Sequence, residues 1–337
     1  MISLLIVNYR SAPLAIDAIR TARAATTLPL QVVVVDNSCD AHEADLLRPH
    51  ADVVIASVTN RGYAGGINDG RRECRGDAIV IANPDVTFAA GSIDALVAAL
   101  DHASVAGPAL FWDEQHRWLL PPSDLQTTME KVDEVLASRS AVYARARDRR
   151  RFFERVAFWS RRKTAKVRAL SGAVMAFHRD APEFDERFAL YFEETDFLRR
   201  IDGPIVYVPA ARVRHLYNQS AGQVSSEAAA RYMQSEMKYL EKWSGPFAAR
   251  MLKSIERPTM VQRYVEIDGP IELHRDDAVI EASPLSSFAT AAGCLDSATV
   301  DLPADVLASW RSGPLYLRAV ERATGRIIGA WARRIPA

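Results

Sequence analysis

Three groups of residues in this chain have the types and spacing to do chemistry. Asn83-Pro84-Asp85 closes an apolar run at residues 78–81. A proline there could aim the Asp85 carboxylate into a cleft, as a hard divalent cation bridging phosphates would need, although the same tripeptide also makes an ordinary turn. His215, after the strand-like residues 211–214, could be a further metal ligand or a structural histidine. Residues 184–196, FDERFALYFEETD, crowd Glu193, Glu194 and Asp196 at the start of a predicted helix. Acids suit the positive end of a helix dipole in any case. One of them, desolvated by Phe188, Tyr191 and Phe192 and held near other carboxylates, would also have the raised pKa of a general base. The third group is residues 60–70, NRGYAGGINDG, with four glycines and two asparagines where a strand meets a helix. Glycine lets backbone approach a ligand closely, and a helix N-terminus offers free N–H groups to an anion. A loop that only turns the chain has the same composition. The spacing matches neither the dinucleotide fingerprint nor a Walker loop.

The elements that must hold these groups alternate. Residues 2–7 form an unbroken apolar run, as a strand buried on both faces reads, and Ser11-Ala12-Pro13 opens a helix reaching Thr26-Thr27. Residues 30–35 and 52–55 repeat the strand pattern, then come the glycine-rich stretch, a helix and the strand at 78–81. This alternation predicts an α/β fold with a mostly parallel central sheet, in which ligands sit beyond the carboxyl ends of the strands. A helix at 91–102 and strands at 105–112, 170–177 and 205–208 follow, with a polar helix at 226–243 closing the block. From about Arg257 short strands appear at 265–267, 271–273, 278–282, 315–321 and 327–333. The expected division is therefore 1–255 and a small β-rich module at 256–337. No internal repeat is visible.

Composition excludes several classes. In 337 residues, 49% are hydrophobic and 25% charged, which rules out disordered, collagen-like and coiled-coil chains. Forty-two Lys or Arg balance 42 Asp or Glu, so no global charge points to nucleic acid. The balance hides residues 139–168, where twelve Arg or Lys face only Asp148 and Glu154 and are interleaved with Phe152, Phe153, Phe158 and Trp159. Arginines with aromatics suit an anionic membrane surface; a solvated insertion is the alternative. Cys39, Cys74 and Cys294 lie far apart, which fits a reduced compartment. The opening MISLLIVNYR lacks a basic stretch ahead of an apolar run of signal length, and nowhere do about 18 apolar residues run together. The expectation is a cytoplasmic chain without a membrane span.

Taken in order, the strings IVNYR, VVVVDNS, TNRGYAGGINDG, ANPDV, LSGAVMAFHRD, FDERFALYFEETDFLRRI and IVYVPAARVRHLYNQSAG resemble the rhamnosyltransferase-like branch of the family-two glycosyltransferases, over residues 1 to about 222. The resemblance implies the GT-A (nucleotide-diphospho-sugar transferase) fold for residues 1–255, a nucleotide-sugar donor, Mg²⁺ or Mn²⁺, and inversion at the anomeric carbon. By position, it implies that Asn8, Tyr9, Asp36 and Asn37 hold the nucleoside. Asn60, Arg61, Gly62, Tyr63, Gly65, Gly66 and Asn68 would line the nucleotide and its diphosphate. Asp85 matches the last aspartate of the family's metal motif, with Asn83 in the first place, and His215 matches its histidine near the metal. Gly172 would keep the loop beside the sugar small. Relatives read Glu-Asp where this chain has Glu193-Glu194, so Glu194 takes the place of the base with one extra methylene, and Asp196 is a second candidate. The implied acceptor is a cell-surface or cell-wall glycan, or a lipid-linked one. The basic segment would then give peripheral contact with the anionic inner face of the plasma membrane. The first donor is dTDP-rhamnose, with UDP-galactofuranose or UDP-glucose as alternatives. A GT-A domain without catalysis, serving as a glycan-binding or scaffolding subunit, is the other reading that the Glu193-Glu194 departure leaves open. Oligomeric state is not legible.

Overall fold

A computed structural model describes residues 1–217, 226–257, 262–310 and 313–334. The NQSAG end of the last motif, residues 218–222, lies outside the described residues. Strand β1 (Ile2–Asn8) is buried along its whole length, as expected of an apolar run with neighbours on both sides. Helix α1 (Ala12–Ala24) carries Pro13 in its first turn, where the missing N–H has no cost, and packs Ala15, Ala18, Ile19 and Ala22 inward. Then follow β2 (Leu30–Asp36), α2 (Ala41–Leu47) capped by Asp40, β3 (Val53–Ala56), α3 (Gly62–Glu73) and β4 (Ala78–Ala82). These four strands lie in the order β3-β2-β1-β4, all parallel. In register, Asn8 stands opposite Asp36, and β4 ends two residues before Pro84. The carboxyl ends of three strands therefore deliver Asn8, Asp36-Asn37 and Asn83-Pro84-Asp85 to one edge.

Beyond β4 the sheet is mixed. The next elements are β5 (Val86–Phe88), α4 (Ser92–Ala99), β6 (Val105–Phe111), β7 (Trp118–Leu119), α5 (Thr128–Arg139), α6 (Ala141–Trp159), β8 (Ala165–Lys166) and β9 (Val174–His178). β9 runs antiparallel between β4 and β6. After α7 (Glu193–Arg200), β10 (Ile205–His215) joins the expected strand at 205–208 to the strand-like residues 211–214, with a bulge between Val208 and Arg212 at Pro209. β10 pairs with β6 in parallel and with β5 antiparallel, which sets His215 opposite Val86, next to Asp85.

The chain closes with α8 (Ser226–Ser244), α9 (Pro246–Ile255), β11 (Val265–Ile267), β12 (Ile271–Glu272), β13 (Ala278–Ser283), β14 (Ala292–Cys294), β15 (Thr299–Val300), α10 (Ala304–Ser309), β16 (Leu315–Glu321) and β17 (Ile327–Arg333). The late strands extend the main sheet, because β14 pairs with β7. One core cluster accordingly mixes Trp112, Trp118 and Leu120 with Ile280, Leu317 and Trp310.

Residues 141–159 of the basic segment are one helix, α6, laid against these late strands. Phe152, Val156 and Trp159 are buried against Val279 and Val320. Gly293 has no room for a side chain, since a Cβ there would sit 2.2 Å from the Trp159 ring. Arg155 reaches Glu281 at 2.6 Å, and Arg318 bridges Glu281 and Asp148, each at 2.7 Å. Arg147 and Arg150 pair with Asp133, and Arg151 with Asp124. The expectation that these aromatics enter a membrane boundary is thus corrected for Phe152 and Trp159, which are core residues. Much of the segment's charge meets carboxylates within the chain. Among the described residues no helix is long and apolar enough to cross a membrane.

Candidate functional site

At the ends of β1 and β2 the polar residues are tied to one another before any ligand arrives. The buried Asn8 donates from Nδ2 to Asp36 Oδ1 at 2.9 Å and to Glu43 Oε2 at 3.0 Å, and its Oδ1 accepts from Ser11. Ser38 donates to the same Asp36 oxygen at 2.6 Å. Asn37 donates to the Gly62 carbonyl at 2.8 Å, while its Oδ1 is buried and has no partner among the described residues. A buried acceptor without a donor is costly and marks a place for a ligand N–H or a water. Tyr9 stands half exposed at the rim, with Arg10 against its ring.

Across the edge, Asp85 and His215 face each other, Nε2 to Oδ1 at 3.3 Å, with side chains only 10% and 12% exposed. Burial by itself would raise the Asp85 carboxyl, but the facing His215 outweighs it and holds the carboxyl below its ordinary value. Asn83 is anchored through its backbone N–H to the Ala173 carbonyl. Among the described residues no third ligand-type side chain completes a metal cage. One carboxylate oxygen and one imidazole nitrogen fit an ion that takes its remaining ligands from phosphates and water, and the nitrogen suits Mn²⁺ better than Mg²⁺.

The acidic motif is delivered by unusual backbone. Tyr191 and Phe192 are both left-handed, at φ 68° and 70°, and α7 begins at the next residue. For bulky residues this costs on the order of 1–3 kcal/mol each, and such strain gathers at functional sites. It is held by an aromatic cap in which Phe188, Phe192 and Tyr239 pack with Tyr191 and Trp243. Glu193 is buried, and among the described residues its Oε2 has no partner. Burial, and then the neighbouring Glu194, push the Glu193 carboxyl well up; burial also raises Glu194. Two such carboxyls titrate apart, with the deeper Glu193 raised further than Glu194.

Gly172 and Tyr63 join the halves. A Cβ on Gly172 would lie 3.2 Å from Glu194 Cβ and Cγ, so glycine there leaves the carboxylate its space. The Tyr63 hydroxyl donates to the Gly172 carbonyl at 3.2 Å. Burial raises the Tyr63 phenol, and Glu193, Glu194 and Asp85 add to it, so both acidic groups lie within electrostatic reach of one ring.

Several expected site residues are occupied elsewhere. Asp196 is fully buried: Arg200 and Lys242 reach it at 2.8 and 2.5 Å, and Trp243 donates to it at 2.9 Å. It is a structural anchor for α7, which corrects its reading as a base. Asn68 holds the backbone of Phe184 with both ends of its amide, and Arg61 pairs with Asp69 and Glu186. The glycine-rich stretch is mostly helix α3 rather than a loop. A Cβ at Gly66 would meet Val7 at 2.8 Å and one at Gly70 would meet Leu5 at 2.2 Å, so these glycines let α3 pack on the sheet. The first two N–H groups of α3 are already accepted, Gly62 by Asn60 Oδ1 and Tyr63 by the Ala189 carbonyl. That corrects the reading of this helix start as an open anion cradle; Gly65, beside Arg61, lies on the same helix. Glu43, which braces Asn8, and Tyr239, which supports the cap, carry no sequence signal that sets them apart.

Residues 3–165 match Glycosyl transferase family 2. Over 294 residues the chain is 26% identical to N-acetylglucosaminyl-diphospho-decaprenol L-rhamnosyltransferase of Mycobacterium tuberculosis, covering 74% of this chain and 88% of the relative. Similar solved structures include the mannosyltransferase PcManGT from Pyrobaculum calidifontis in complex with GDP-Man and Mn²⁺, at 14% identity and a TM-score of 0.43, covering 75% of this chain and 73% of that one. Another is TarS 1–349 from S. aureus, at 11% identity and a TM-score of 0.41, covering 76% and 83%.

Proposed function

We propose, from the premise that this chain is a glycosyltransferase of family 2 with the GT-A fold, that it moves a sugar, with inversion, from a nucleotide-diphosphate donor to a hydroxyl of a lipid-linked glycan. The observation that carries this reading is the Glu193-Glu194 pair, raised by burial and set against Gly172, with the Asp85–His215 pair near enough that Asp85 and both glutamates act on the Tyr63 phenol. Asn8, Asp36 and Asn37 would receive the nucleoside, with the free Asn37 Oδ1 accepting from the base. Asp85 and His215 would hold Mg²⁺ or Mn²⁺, which when bound neutralises charge on the departing diphosphate. Glu194 takes the proton of the acceptor hydroxyl as its oxygen attacks the anomeric carbon; the sugar–phosphate bond breaks and the nucleoside diphosphate leaves. Glu193, protonated, keeps the pair from carrying two negative charges.

The sugar is rhamnose from dTDP-rhamnose, and the acceptor carries its glycan on a polyprenyl diphosphate. The rhamnose and the lipid diphosphate follow the similarity to the mycobacterial rhamnosyltransferase, and the dTDP carrier follows the resemblance of the sequence motifs to the rhamnosyltransferase-like branch. The test is turnover of dTDP-rhamnose, UDP-galactofuranose and UDP-glucose with a short-chain N-acetylglucosaminyl-diphospho-lipid acceptor and Mn²⁺. Product from dTDP-rhamnose alone supports the assignment; product only from a UDP-sugar reassigns the donor, and none from any of them removes the reading.

A further inference from the structure

A cavity of about 560 Å³ opens between β6, β10, the end of α6 and the loop after β14. Its walls are apolar at Phe111, Trp159 and Tyr207, but four guanidinium groups line it, from Arg117, Arg161, Arg162 and Arg212. The only carboxylate among its lining residues is Asp296, and Arg322 already holds that at 2.6 Å. Among the described residues Arg161, Arg162 and Arg212 have no carboxylate partner. Arg162 donates to the Trp159 carbonyl at 3.2 Å and Arg212 to the His116 carbonyl at 3.3 Å. Arg117 is 3.9 Å from Asp113. Arg161 Nη1 is buried and has no hydrogen-bond partner among the described residues. Burial, and then Arg212, lower the pKa of His116 on the same wall.

We propose that this cavity binds a phosphate-bearing ligand through Arg117, Arg161, Arg162 and Arg212, at a site closed on one side by the C-terminal strands. Guanidinium forks match phosphate oxygens in pairs, and the apolar walls receive the organic part. The site is separate from the Asp85–His215 pair. Arg212 and His215 are three residues apart on a regular stretch of β10, so their side chains leave opposite faces of the sheet.

The test is calorimetric titration of inorganic pyrophosphate into the full chain without divalent cation, at ionic strength matched with KCl. Binding is expected in the wild type and in Asp85→Asn alike. It should weaken at least ~10-fold in Arg161→Gln/Arg212→Gln, where two charge-assisted forks are lost. Asp296→Asn removes the one carboxylate and should tighten binding, a gain that misfolding cannot produce. No binding in the wild type overturns the proposal. Binding lost in Asp85→Asn but intact in the arginine double variant overturns it too. A parallel sedimentation with phosphatidylglycerol and phosphatidylcholine vesicles separates the sources. Pyrophosphate-sensitive binding to the anionic vesicles assigns a lipid headgroup, and pyrophosphate binding without vesicle binding assigns a soluble phosphate.

Discussion

Two polar regions of this chain differ in what their atoms do. Around Asn68 and Asp196 the polar groups are engaged: the amide holds Phe184 at both ends, and the carboxylate takes Arg200, Lys242 and Trp243. Around Glu193 and Asn37 buried oxygens have no partner among the described residues, and the backbone leading to Glu193 is strained. Satisfied buried groups hold shape, whereas unsatisfied ones persist where a ligand or proton transfer uses them. The difference separates the Glu193-Glu194 pair from Asp196, which sequence alone keeps as a second candidate base.

The strongest way to break the comparison is at the Asp85–His215 pair. Asp85→Asn should reduce transfer on the order of 10²- to 10³-fold and abolish Mn²⁺-dependent protection by nucleoside diphosphate in thermal unfolding. Transfer at the wild-type rate would detach Asp85 from the chemistry. Next in size is Asp196→Asn, which leaves Lys242 and Arg200 facing a neutral group at a fully buried position. It should cost about 3 kcal/mol in denaturant unfolding, while the folded fraction keeps its kcat. Gly293→Ala forces a methyl into Trp159 and should cost about 1–3 kcal/mol. Unchanged stability there would show that the late strands do not pack on α6 as described.

The smallest expected effect is on pH dependence. Both carboxyls of the pair are raised, so the acid limb of kcat/KM should lie above the ordinary glutamate value of about 4.3. Glu193→Gln should leave that limb in place, because burial rather than a charge on Glu193 raises Glu194. Stability follows the opposite course. A carboxyl raised on folding ionises more readily in the unfolded chain, so stability falls as pH rises through the folded value. Glu193→Gln should therefore unfold at a higher temperature than the wild type at pH 8, and at nearly the same temperature at pH 4.

Much of the frame was legible in the sequence. The apolar runs at 2–7, 30–35 and 78–81 are β1, β2 and β4, because a strand buried on both faces admits few polar residues. Helix α5 went unread although Thr127 and Glu130 form a capping box, a signal that was there to find. The glycines of α3 were misjudged because glycine composition is the same for an anion cradle and for close helix packing. The partners of the basic segment are illegible for another reason: its charges are visible in sequence, but Arg155 meets Glu281 from 126 residues away, and nothing in the spacing joins them. The C-terminal strands read as a separate module because their turns are short and regular, yet one ladder, β7 with β14, stitches them into the main sheet.

The most direct measurement of the central claim is single-turnover transfer by Glu194→Gln and Asp196→Asn side by side, normalised to folded protein. The account predicts a loss on the order of 10³-fold in Glu194→Gln, with nucleotide binding retained, and a near wild-type rate in Asp196→Asn. Transfer that survives in Glu194→Gln and disappears in Asp196→Asn would contradict it.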